Sequence, residues 1–151
     1  VEGFDYFFVT KDEFAHMIEE DELLEYAVVY NQYKGIPKQQ VREALASGKN
    51  VIMRLDVQGT ETVRKLIPSA ITIFLRTPSE ADLVKRLRDR KTDPAEGVNL
   101  RIAEAIREMK RMPEFDYCVV NAENRQELAV DQILSIIDAA QCRVKQTKIE
   151  L

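Results

Sequence analysis

The sequence predicts an α/β protein in which a parallel sheet is covered by helices. From Asn50 onward, strand-type and helix-type segments follow one another by turns, the order that builds parallel strands with helical crossovers. The 151 residues are 45% apolar and 32% charged, a balance that fills one core and covers one surface. Explicit helix-start chemistry also recurs along the chain.

Asp5 to Val9, DYFFV, is aromatic and β-branched and predicts a short strand. Thr10 and Glu13 have capping-box spacing, and Phe14, Met17 and Ile18 supply the stripe of a short helix ending near Asp21. His16 falls off that stripe and has no assigned role. Leu23 to Tyr33 predicts a β ribbon, after which Gly35 permits a tight turn and Pro37 suits the first position of a helix. Val41, Ala44 and Leu45 continue that helix, and Ser47 and Gly48 close it. Asn50 to Leu55 predicts a strand ending at Asp56. There follow a helix near Thr60 to Leu66, a strand Ala70 to Leu75, and helices Ser79 to Lys91 and Val98 to Arg111. A strand Asp116 to Val120 and a long helix from Gln126 to about Lys145 complete the order.

Thr77, Pro78 and Glu80 spell a helix start, with a cap, a proline at N1 and an acid at N3. Val98, Ile102, Ala105, Ile106 and Met109 line one face of the helix that follows, and Ala129, Ile133, Ile136, Ile137 and Ala140 line one face of the last. Both are predicted packing surfaces. The polar tail after Cys142 is predicted to fray.

Charge narrows the function. A net charge of −4 and a pI near 5.2 leave no broad basic footprint, so a phosphate ligand must be held by a local cluster. That favours a mononucleotide over a nucleic acid polymer. No apolar run approaches the roughly 18 residues of a membrane span. Cys118, Cys142 and the lone His16 support neither a disulfide framework nor a zinc site, and a reducing compartment is the simplest expectation. The chain starts at Val1 rather than Met and reads as the middle of a longer sequence.

Glu25 lies inside the apolar run Leu23, Leu24, Ala27, Val28, Val29, where a carboxylate is costly without a partner. A carboxylate only accepts hydrogen bonds, and the Watson–Crick edge of guanine offers two adjacent donors where adenine offers an acceptor. A pocket built on Glu25 would prefer guanine. Tyr30, Tyr33 and Lys34 follow closely, a hydroxyl and an ammonium suited to a phosphate. Strand alternation allows the opposite arrangement, Glu25 in solvent and Tyr26 inward.

Arg86 and Arg90 stand at i, i+4, and Arg101 opens the next helix beyond a Lys91 to Leu100 segment whose Thr92, Pro94 and Gly97 suggest a mobile lid. Arginine's planar fork suits charge spread over phosphoryl oxygens; pairing with Asp82, Asp89 or Glu104 on a solvated face is the alternative. Asp56 directly follows a strand, where doubly wound folds collect ligand contacts, or else simply forms a turn. Asn121 ends its strand in the same manner.

The segment LLEYAVVYNQYKGIPKQQ, with DYFFVTKDEF, LDVQG, RLRDRKT and FDYCVVN, resembles guanylate kinases, most nearly the plant organellar type, collinearly through about Ile137. The resemblance implies a P-loop NMP-kinase-like fold, a three-layer parallel sheet with helices on both faces, a small mixed-β GMP-binding subdomain and a helical lid. It implies one domain over residues 1–151, divided as 1–36 for GMP, 37–85 core, 86–101 lid and 102–151 C-terminal core. The implied reaction is ATP-dependent phosphorylation of GMP to GDP with Mg2+. Tyr6, Glu25, Tyr33, Lys34, Gly35 and Asp56 would hold GMP. Arg86, Arg90 and Arg101 would be catalytic, Arg86, Arg90 and Asn121 would hold ATP, and Asp56 would organise magnesium through water, with no direct side-chain ligand. GMP and ATP are the implied partners, without polymer or membrane, for a monomer in the cytosol or an organelle.

Departures accompany the likeness. Where the family usually has Tyr-Gly and a small hydroxyl residue, this chain has Lys34, Gly35 and Ile36, and Arg54 replaces a common acid. No GxxxxGK[ST] occurs in the 151 residues. The chain therefore reads as N-terminally truncated, with phosphoryl transfer expected to be lost or nearly so. The rival expectation is a guanylate-kinase-like module that recognises a protein.

Overall fold

The computed structural model describes residues 7–29, 32–89, 95–145, 149 and 151. The chain divides into two compact units, Val1–Ala70 with Ile149–Leu151, and Ile71–Lys148.

The first unit opens on helix α1, Lys11–Glu19, closed by the expected box: the Glu13 N–H donates to Thr10 Oγ1 (3.2 Å) and the Thr10 N–H to Glu13 Oε2 (2.7 Å). Upstream, Phe7, Phe8 and Val9 are exposed and form no strand, while Asp5 and Tyr6 lie outside the described residues. Their composition suits a strand, but a strand also needs a ladder, and the described ladders are made elsewhere.

Strands β1, Leu23–Val29, and β2, Gln32–Pro37, pair antiparallel, with Glu25 opposite Ile36, Tyr26 opposite Gly35 and Ala27 opposite Lys34. An irregularity between Leu23 and Glu25 breaks the alternation and buries Leu23 and Leu24 together. Beyond it, Tyr26, Tyr33 and Gly35 share one face, and Glu25, Ala27, Lys34 and Ile36 the other. Buried Phe14 of α1 packs on the first face, its ring 5.3 Å from Tyr33 and 6.4 Å from Tyr26 between centroids. Gly35 thus corrects its sequence reading. It forms no turn but sits within β2, where a Cβ would lie 3.1 Å from Phe14 Cζ, Leu23 Cδ1 and the Glu25 carbonyl.

Pro37 ends β2 and leads into α2, Lys38–Ala46; α3 spans Val57–Leu66 and starts earlier than its periodicity suggests. Leu24, Val41, Val63 and Ile67 form the buried core of this unit. The expected strand Asn50 to Leu55 is also corrected. Exposure alternates with a period of two, with Met53 and Leu55 against the core and Ile52 75% exposed, but no described strand pairs with it. The tail does not simply fray: Ile149 and Leu151 pack on the same core, and Arg42 Nε donates to the Leu151 carbonyl (2.7 Å).

In the second unit β3, Ile73–Arg76, and β4, Tyr117–Val120, pair in parallel, Ile73 opposite Tyr117 and Arg76 opposite Val120. Their starts are latched by Asp116, whose Oδ2 accepts from the Thr72 N–H and Oγ1–H at 2.8 Å each, while its own N–H donates to Thr72 Oγ1. The connection carries α4, Glu80–Asp89, and α5, Ala95–Met109; α6, Gln126–Gln141, follows β4 and ends before the expected Lys145. This is the predicted α/β order, with the described parallel sheet limited to the β3–β4 pair. The cap of α4 is corrected from Thr77 to Ser79, whose Oγ accepts from the Asp82 N–H (3.1 Å). Thr77 is buried and instead donates to the Ser79 carbonyl.

Candidate functional site

In the first unit the site is built where β1 crosses the N-terminus of α3. Asp56 caps that helix, its Oδ1 accepting from the N–H groups of Gln58 (3.0 Å) and Gly59 (2.8 Å). Glu25 lies on top of this turn: a Cβ on Gly59 would come within 3.1 Å of Glu25 Cδ and Oε1. The glycine leaves the space that the carboxylate occupies.

Glu25 is half-buried, and no described residue hydrogen-bonds its carboxylate. Burial raises its pKa above the ordinary carboxylate value, and repulsion from Asp56 raises it further. Of the two orientations open in the sequence, the structure adopts the one with Glu25 turned to α3 and Tyr26 half in solvent. Lys34 shares the Glu25 face, diagonal to it across the ribbon. Tyr33 does not. Its ring faces away, toward Phe14. Ile36, the apolar departure beside Gly35, packs against the buried core. Tyr6 lies outside the described residues.

In the second unit the C-terminal ends of β3 and β4 border a cleft of about 210 Å³ floored by Phe74, Leu83, Ala105 and Met109. Arg86 and Asn121 meet there, Arg86 Nη2 donating to the Asn121 carbonyl (2.9 Å). Asn121 Oδ1 is buried without a partner, and so is Arg76 Nε, on a residue that the sequence reading passed over. A strand-ending arginine was the one signal for it. Arg101 sits within α5 rather than opening it, because the helix begins at Ala95. Arg90 lies outside the described residues. Among the described residues no group of three or more His, Cys, Asp or Glu could hold a metal ion, and no helix is long and apolar enough to cross a membrane.

The fold is of the nucleoside monophosphate kinase type. It matches the crystal structure of guanylate kinase from Anaplasma phagocytophilum with a TM-score of 0.76 at 24% identity, over 95% of this chain and 69% of that one. The model of the guanylate kinase family matches residues 1–140, and the chain belongs to that family. It is 51% identical over 152 residues to guanylate kinase 2, chloroplastic/mitochondrial, of Oryza sativa subsp. japonica, covering 100% of this chain and 53% of that relative. A guanylate kinase of Xylella fastidiosa is 42% identical over 144 residues, covering 95% of this chain and 70% of that protein. The chain thus spans about half the length of the rice relative.

Proposed function

We propose that the chain supplies the GMP-reading and lid portions of an ATP:GMP phosphotransferase. The carrying observation is Glu25, a half-buried acceptor with no donor among the described residues, resting on Gly59 beside Asp56 in a chain of the guanylate kinase family. Guanine would bring its ring N1–H and amino group to that carboxylate; adenine would bring an acceptor and leave it unpaired.

Lys34, on the Glu25 face, would meet the GMP phosphate as a point charge, joined by the Tyr6 hydroxyl, whereas Tyr33, on the opposite face against Phe14, would not reach it. Gly35 would let the ribbon close on Phe14, and Asp56 would hold the α3 turn under the base. Arg86, Arg90 and Arg101 would neutralise charge on the transferred phosphoryl group, and Asn121 would lie beside the adenine of ATP. No general base is required, because the acceptor phosphate is already an anion; positioning and charge stabilisation carry the reaction.

Magnesium, when bound with ATP, would neutralise phosphate charge. Asp56 fits a water-mediated role, since its Oδ1 is committed to two backbone N–H groups while no described residue bonds Oδ2. The likeness to the rice protein supports an organellar location, and the reading is of a monomer with a single domain divided at residues 36, 85 and 101.

Calorimetric titration with GMP and then AMP tests the reading, with circular dichroism confirming that the chain is folded. Saturable binding that prefers GMP is expected. A folded chain that binds neither would overturn the guanine-reading role and favour recognition of a protein.

A further inference from the structure

The last residues of the chain belong to the unit that holds Glu25. After the largely polar run Arg143 to Lys148, Ile149 and Leu151 pack against the buried cluster of Leu24, Val41, Val63 and Ile67. Arg42 Nε donates to the Leu151 carbonyl (2.7 Å), which fastens this segment to α2 as well.

The cluster adjoins the site at two points. Fully buried Leu24 directly precedes Glu25 on β1, and Val63 lies one helical turn beyond Gly59 on the same side of α3. Whatever holds Leu24 against Val63 therefore also sets the height of Glu25 above Gly59. That gap has little play, since a Cβ on Gly59 would already lie 3.1 Å from Glu25 Cδ and Oε1. Close-packed interiors pass such shifts on to their neighbours. Taking apolar groups from one side of the cluster would leave a void that β1 and α3 relax to fill. A carboxylate that reads guanine must present one oxygen to the ring N1–H and the other to the amino group, and hydrogen bonds weaken steeply when misaligned. A tilt of Glu25 that keeps one bond loses the other.

We propose that Ile149 and Leu151 are positioning residues for guanine recognition: by closing the cluster behind Leu24 and Val63, they hold Glu25 where both of its oxygens meet the base. The proposal rests on the reading of Glu25 as the guanine acceptor and adds to it a segment distant in sequence.

The test compares GMP with IMP, which keeps the ring N1–H but lacks the 2-amino group, in calorimetric titrations of the full chain. The unaltered chain should prefer GMP by roughly tenfold or more. In the double variant Ile149→Ser, Leu151→Ser, shown to be folded by circular dichroism, that preference should shrink several-fold. Ile149→Val with Leu151→Met should keep it. A purely structural role would lower the melting temperature of the serine variant and leave its GMP-to-IMP ratio unchanged, and that result would overturn the proposal. If the serine variant does not fold, Arg42→Ala decides: it releases the Leu151 carbonyl without opening the cluster. The ratio should again shrink, and an unchanged ratio overturns the proposal alone. An unaltered chain that binds neither nucleotide, or both equally, would overturn the guanine-reading role of Glu25 and the proposal with it.

Discussion

Glu25 is placed to serve binding at the expense of stability. Its raised pKa means that the folded chain holds this proton more tightly than the unfolded chain. Its contribution is therefore fully present below the ordinary carboxylate pKa and is lost as pH rises through the raised value. Guanine recognition needs the ionised form, so GMP affinity should rise across the same window in which this contribution falls. Asp56→Asn keeps a capping side chain but removes the second cause of the shift, so the acid limb of GMP binding should move to lower pH. Titration of GMP between pH 4 and 8 checks this; an unmoved limb would remove Asp56 from the account. Gly59→Ala makes a separate point. The added Cβ meets the far end of a flexible side chain, so Glu25 should shift by tenths of an ångström and GMP binding should weaken. Ala for Gly within α3 should meanwhile hold or raise the melting temperature, since it favours the helix by up to about 1 kcal/mol.

At the scale of the element, the ribbon and the α3 turn show what local sequence can and cannot convey. The Thr10–Glu13 box was legible because both halves of the interaction lie within four residues. The parallel pairing of β3 and β4 followed from the order of segments. Gly35 was misread because a turn and a close approach select the same residue, and only the pairing with Tyr26 under Phe14 distinguishes them. The Cβ of Gly35→Ala would meet backbone and two packed side chains, so a loss of roughly 1–3 kcal/mol is expected by thermal or urea unfolding. The Asn50 to Leu55 reading identified strand-like alternation correctly, but pairing is a non-local property that composition does not specify. The α4 start was legible while its cap was not: Thr77 and Ser79 both carry a hydroxyl, and burial of Thr77 decided between them.

At the scale of the molecule, the candidate site was legible in part. Glu25 stood out as a charge among apolar residues, and Asp56 as an acid after a strand-like run; the structure brings the two together over Gly59. Arg86 and Asn121, 35 residues apart, likewise meet at one cleft. Arg76 was not legible, because an arginine closing a strand is ordinary and only its unpaired buried Nε marks it. The predicted tail lost its polar reading because Ile149 and Leu151 are few among many polar residues, yet they find the core that Leu24, Val41, Val63 and Ile67 build.

The most direct measurement is GMP affinity and melting temperature side by side for the chain and for Glu25→Gln at neutral pH. Replacing the carboxylate with an amide removes a charge-assisted acceptor, so affinity should fall by about a hundredfold, on the order of 3 kcal/mol. The melting temperature should hold or rise, because a half-buried charge beside Asp56 has been removed. Undiminished GMP binding by the variant would contradict the account.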